Sequence, residues 1–125
     1  MPSPVGHALV GYVIYRATDS GAGRRGGLVP LLCVFAANAA DLDIIPGLLM
    51  GEPNRYHRGI NHSIGIALLF AAGFGPILAW CGGGRLKKAT GVAFLLYLSH
   101  LVADCFNADG RFPFGVPLFW PLTAA

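Results

Sequence analysis

Residues 28–50 read LVPLLCVFAANAADLDIIPGLLM, and this stretch decides what kind of fold the chain can have. It is long enough to cross a bilayer, which takes roughly 20 apolar residues. Yet it carries Asp41 and Asp43, followed by the Pro46-Gly47 pair. A charged aspartate near the centre of a membrane helix costs about 2.5–3.5 kcal/mol. Two of them in one apolar run therefore need partners. Pro46 removes a helical hydrogen bond and disfavours helical geometry at Ile45. A helix that ends or kinks near the aspartates is expected, and a broken end lets both carboxylates turn inward.

Three more apolar segments flank this one: Val5 to Tyr15, Ile64 to Cys81 and Ala89 to Phe106. The third segment in chain order, Ile64 to Cys81, holds no charge and is the best membrane-span candidate. The first is short enough to be a half-span or to lie partly in the interface. Between them lie Ser20 to Gly27, Gly51 to Asn61 and Gly82 to Lys88, rich in Gly, Pro and charge. The overall balance agrees. Hydrophobic residues make up 54% and charged residues 12%, against about 25% charged in a soluble domain. Mean hydropathy is +0.58. Too little charge is present to cover a water-exposed surface, so much of the surface is expected to face lipid.

The expected fold is all-α: one domain over residues 1–125, a membrane-embedded bundle of about four helices joined by short loops. The tail after Asn107, DGRFPFGVPLFWPL, has too many prolines for a regular helix and is expected to be an irregular aromatic segment at the membrane interface. The N-terminus lacks a basic region and a cleavage site, so it does not read as a signal peptide. Cys33, Cys81 and Cys105 lack CxxC spacing and read as small buried hydrophobes. The net charge is +3, but the basic residues form short clusters rather than one patch, so no direct nucleic-acid binding is expected.

Those clusters set an orientation. Arg16, Arg24 and Arg25 follow the first segment, and Arg85, Lys87 and Lys88 follow the third. In a four-pass chain both groups lie on one side, and the positive-inside rule makes that side cytoplasmic. His7, Asp41, Asp43, His57, His62, His100 and Asp104 then all fall at the opposite face. The topology follows from Lys and Arg alone, so this convergence is independent of it. His100 and Asp104 are four apart and share a helix face. Asn61 or Ser63 is placed to cap the helix after His62. Placed near the membrane centre, Asp41, Asp43 and Asp104 together cost roughly 9 kcal/mol, comparable with the whole stability of a small domain, about 5–15 kcal/mol. A shared divalent cation would neutralise them. Mixed imidazole and carboxylate ligands suit Zn, with Mn or Fe as alternatives, and the number of candidates allows two or more ions. Ser99 and Asn107 are candidates for orienting ligands, whereas Glu52 and Asp109 read as solvated loop charges.

The pieces GHALVGY (6–12), AADLDIIPG (39–47), HRGINHS (57–63), LSHLVAD (98–104) and GVPLFWP (115–121) cover nearly the whole chain. In this order they resemble the YdjM-like family of inner-membrane-associated proteins, to which metal-dependent hydrolase activity and LexA binding are attributed. The resemblance implies that His7, Asp41, Asp43, His57, His62, His100 and Asp104 are the metal-binding set. It also implies a distant likeness to zinc-dependent phospholipase C, and hence phosphoester hydrolysis, with phospholipid as one substrate.

The leading expectation is therefore a metal-dependent hydrolase at the outer membrane face, with Asp41 or Asp43 as general base and Arg58 gripping a phosphate oxygen. Other hydrolase signatures, HExxH and GxSxG, are absent. Two alternatives use the same residues: a non-enzymatic membrane protein that binds metal for structure or for a protein partner or second copy, and a metal-ion transporter. The lack of duplicated halves counts against the transporter.

Overall fold

The computed structural model describes residues 4–18, 27–53, 55–56, 59–106 and 117–122. Among these residues all regular structure is helical. Helix α1 spans Pro4–Ala17, α2 Leu28–Asn38, α3 Ile44–Leu49, α4 Ile64–Gly82 and α5 Leu86–Cys105. A 3-10 turn over Ala39–Asp43 joins α2 to α3, and a second over Ile60–His62 leads into α4. Because α2, the turn and α3 run on as one span, Leu28–Leu49, the architecture is a four-helix bundle. Its helices pack α1 on α2, α2 on α5 and α4 on α5.

Two helices, Leu28–Leu49 and Ile64–Gly82, are long and apolar enough to cross a membrane. Helix α1, with 14 residues, rises only about 21 Å, short of a hydrocarbon core of about 30 Å. The interior and exterior follow membrane-protein logic. Inside, small residues line the helix contacts: Cys33, Ala36, Ala37, Ala71, Cys81, Ala89 and Ala93. Outside, large apolar side chains are exposed on every helix, including Leu9, Leu31, Leu48, Leu69, Trp80 and Val102. With lipid as solvent there is no reason to hide large hydrophobes. Helix association then depends on close packing of small residues.

Two glycines show how close that packing is. A Cβ on Gly11 of α1 would sit 2.8 Å from the Cβ of Ala37 on α2. One on Gly75 of α4 would meet the Thr90 side chain and come within 2.7 Å of its Cα on α5. Gly11 lies one turn after His7, and these two are the buried residues of α1. The close approach at Gly11 thus brings His7 against the bundle.

The interruption near the aspartates is present, but its form differs from the expectation. Ile45 stays helical, and Pro46 is the third residue of α3, where the first turn has no intrahelical partner for an N–H. The departure from α winding lies before the proline. Pro46 has no N–H for the carbonyl four residues back, at Leu42, and its ring crowds that carbonyl. The preceding turn tightens to 3-10. On an α-helix residues two apart point roughly 160° apart, whereas on a 3-10 helix the separation is about 120°. The tighter winding swings Asp41 and Asp43 toward a common side.

Helix α4 starts at Ser63, whose hydroxyl accepts from the Ile66 N–H at 3.3 Å and donates to the Ile60 carbonyl at 2.7 Å. Much of the aromatic, proline-rich tail, residues 107–116, lies outside the described residues. Residues 118–122 form turns, and the Leu118 carbonyl accepts from the Ile64 N–H at 2.9 Å. Cys33 and Cys81 are buried as expected, but Cys105 is exposed. It follows the buried Asp104 by one position, about 100° further round the helix, which carries it off the packed face.

Candidate metal centre

The antiparallel run of the helices gathers the start of α1, the end of α2, the start of α4 and the end of α5 at one end of the bundle. His7, Asp41, Asp43, His62, His100 and Asp104 meet there. Arg16, Arg85, Lys87 and Lys88 belong to the opposite end. His57 and Arg58 lie outside the described residues, as do Asn107 and Asp109.

Among the described residues, four side chains converge most closely. Asp41, His62, His100 and Asp104 each offer one ligand atom, and these atoms all lie within 4.8 Å of one another. His62 Nε2 is 3.1 Å from Asp104 Oδ2 and 3.7 Å from Asp41 Oδ1. His100 Nε2 is 3.2 Å from Asp41 Oδ1 and 3.4 Å from Asp104 Oδ2. Ligands bound to one tetrahedral zinc at about 2.0–2.1 Å stand about 3.3 Å apart. The four imidazole–carboxylate distances, 3.1–3.7 Å, lie close to that spacing, and the whole set, within 4.8 Å, needs only to contract around a cation.

The ring orientations point the same way. The Ala37 carbonyl lies 2.9 Å from His100 Nδ1. A carbonyl only accepts, so Nδ1 carries a proton, and Nε2 is the nitrogen that faces the cluster and can give up its proton to a cation. Nε2 is fully buried and makes no well-aligned hydrogen bond, although two carboxylate oxygens stand close by. A buried nitrogen aimed between two carboxylates is placed for a cation. His62 has a charged neighbour instead of a hydrogen bond on that side: Asp43 Oδ2 sits 3.1 Å from its Nδ1 without good alignment, which favours a proton there and leaves Nε2 toward the centre. Burial alone lowers the His62 pKa, but Asp104, Asp41 and Asp43 outweigh it and push it up to about 10. A cation binding there displaces a proton.

His7 occupies a different place. Its Nε2 is 3.7 Å from the other oxygen of Asp104, Oδ1, and its ring stacks on His100 at 3.8 Å between centroids. Burial is nearly complete for His7, His62, His100 and Asp104, whereas the Asp41 side chain keeps 24% of its surface exposed. Asp41 thus stands at the mouth.

Two expected roles resolve differently. Ser99 does not reach the cluster, because its hydroxyl donates back to the Leu96 carbonyl at 2.7 Å. Glu52 pairs with Arg55 at 2.9 Å, both well exposed, which fits a solvated loop charge. Sequence reasoning missed Tyr97. Its hydroxyl, on buried α5, donates to the Asn61 carbonyl at 2.7 Å and so holds the turn that carries His62. Tyr97 is also one turn before His100, so a single helix face fixes both imidazoles. We expect Tyr97→Phe to weaken metal binding by about 10- to 100-fold, as for other groups that orient ligands. Helical content should stay unchanged, and a competition titration with a chromophoric chelator reads the affinity.

A family model described as "YdjM inner membrane protein" matches residues 1–125. The chain belongs to the YdjM family. The match spans the whole chain, and membership of the YdjM family together with the two apolar spans makes this an integral membrane protein. Its buried His/Asp cluster is able to chelate a divalent metal ion. No curated protein and no solved structure matches the chain.

Proposed function

We propose that this YdjM-family chain is a membrane-bound hydrolase that uses a divalent metal, zinc being the best match, to cleave phosphoesters. The observation that carries the reading is the spacing of the four ligand atoms, two imidazole nitrogens and two carboxylate oxygens within 4.8 Å. A catalytic zinc keeps three protein ligands and one open position; His62, His100 and Asp104 would be the three, and the partly exposed Asp41 stands beside the fourth. When bound, the cation supplies a Lewis acid and acidifies water.

The chain's own residues divide the remaining work. His62, His100 and Asp104 form the buried floor, Asp43 orients His62, and His7 packs over His100. Asp41, at the mouth, takes a proton from the attacking water. The water oxygen adds to phosphorus, the P–O ester bond breaks, and the leaving alkoxide takes up the proton that Asp41 held. Arg58, two residues from the Ile60–His62 turn, would grip a non-bridging phosphate oxygen. His57 is retained as a further candidate ligand on the same grounds of sequence.

The test is release of product from a phosphodiester by the detergent-purified chain, with and without chelator. Chelator-sensitive turnover that returns on adding zinc supports the reading. Stoichiometric metal with no turnover on any phosphoester favours a metal-binding interaction protein instead.

We further propose that the cluster faces outward and the basic end lies in the cytoplasm, because Arg16, Arg85, Lys87 and Lys88 sit away from it. Cys105, exposed at the cluster end of α5, gives a readout. A membrane-impermeant maleimide added to cells with a permeabilised outer layer should label Cys105 without lysis, while buried Cys33 and Cys81 stay unlabelled. Labelling only after inner-membrane lysis would reverse the orientation.

A further inference from the structure

Beside the cluster lies an open groove of about 370 Å³, lined by Leu42, Asp43, Pro46, Tyr56, Ile60 and Asn61. This lies within the range of small-molecule sites, about 300–1,000 Å³. Its exposed wall is mostly apolar, and it touches the metal-binding cluster through Asp43, the carboxylate 3.1 Å from His62 Nδ1. Leu42 and Ile60 on the groove wall are about half exposed. They continue into the exposed apolar residues Ile45, Leu48, Leu49 and Met50. In a membrane-spanning chain that surface meets lipid, and Leu42 to Met50 lies at the end of the Leu28–Leu49 span, near the level where head groups begin.

We propose that the groove holds an acyl chain of a bilayer lipid whose polar head group lies at the cluster, so that the substrate reaches the site sideways from the membrane. The inference rests on the hydrolase reading above and adds where the substrate's chain sits and how it arrives: along this groove from the bilayer rather than from solvent. The physical reason is the cost of the alternative. Drawing a lipid head into a solvent-filled site while its chains leave apolar surroundings costs about 0.8 kcal/mol per methylene exposed. A groove that runs from lipid to the cluster keeps one chain covered while the head advances. The chemistry would be matched end to end: the cation that the cluster can hold for the anionic head, then Leu42, Pro46 and Ile60 for the chain.

The wild-type chain, reconstituted in phosphatidylcholine vesicles doped with a phosphatidylcholine bearing a diazirine in its acyl chain, provides the test. After irradiation, labelled positions are mapped by mass spectrometry. We expect adducts at Leu42, Pro46 and Ile60 in excess over ordinary lipid-facing residues such as Leu31 and Leu69. Ile60→Trp, which fills the groove, should lose the groove adducts and keep those at Leu31 and Leu69. Should Ile60→Trp fail to fold, the wild-type map decides alone. Adducts spread evenly over the apolar belt, with no excess in the groove, would overturn the proposal. Hydrolysis of a soluble phosphodiester with an even map defeats the groove and spares the hydrolase reading. A groove-centred map with no hydrolysis of any phosphoester does the reverse.

Discussion

Replacing Asp104 with asparagine is expected to abolish stoichiometric metal binding and, with it, hydrolysis. Asp104 is the side chain that ties the cluster together. Its Oδ2 stands 3.1 Å from His62 Nε2 and 3.4 Å from His100 Nε2, and its Oδ1 reaches His7. Asparagine keeps the shape but removes the charge and one acceptor. Mutating groups that merely orient ligands costs about 10- to 100-fold in affinity, so removing a central ligand should cost more than about 100-fold. Because Asp104 is buried among apolar helices, losing its charge also relieves part of the desolvation cost. The apo protein should therefore fold, and circular dichroism of the purified variant checks this. Weak binding with intact helices is the expected pair of results; unchanged affinity would remove Asp104 from the centre.

Stripping the metal from the wild-type chain should have the second large effect, on stability. Without a cation, Asp41, Asp43 and Asp104 crowd around two imidazoles within a few ångströms, in surroundings that penalise charge. Structural zinc sites contribute roughly 10–16 kcal/mol at neutral pH. Even a fraction of that shifts thermal unfolding on the order of 10 °C or more. A scan in detergent with and without chelator reads the shift, and re-adding zinc should restore it. Asp104→Asn should show a much smaller shift on chelation, since it holds little metal to lose. If chelation shifts both proteins equally, the destabilisation does not come from this cluster.

Much of this was legible in the chain, because the membrane makes polar residues conspicuous. Asp41, Asp43, His100 and Asp104 stood out in apolar runs, and antiparallel helices brought them to one end as the loop charges implied. The four-helix count followed from the segment lengths. What escaped depends on tertiary contact. Tyr97 looks like an ordinary core aromatic until its hydroxyl finds the Asn61 carbonyl, 36 residues away. The Ala37 carbonyl that orients His100 has no side-chain signature at all. The interruption expected near the aspartates is there, but Ile45 stays helical and the tightening falls wholly on the turn before Pro46, because the clash is with a carbonyl four residues back. Ser99, adjacent to His100 in sequence, turns its hydroxyl onto its own helix. The exposure of Cys105 required the helix phase, which an apolar run does not reveal.

Metal K-edge X-ray absorption on the zinc-loaded, detergent-purified chain tests most directly whether imidazoles and carboxylates share one cation. The expected spectrum has nitrogen and oxygen neighbours only, at about 2.0–2.2 Å, with the more distant scattering of imidazole. A sulfur shell at about 2.3 Å, or zinc bound without imidazole, would contradict it.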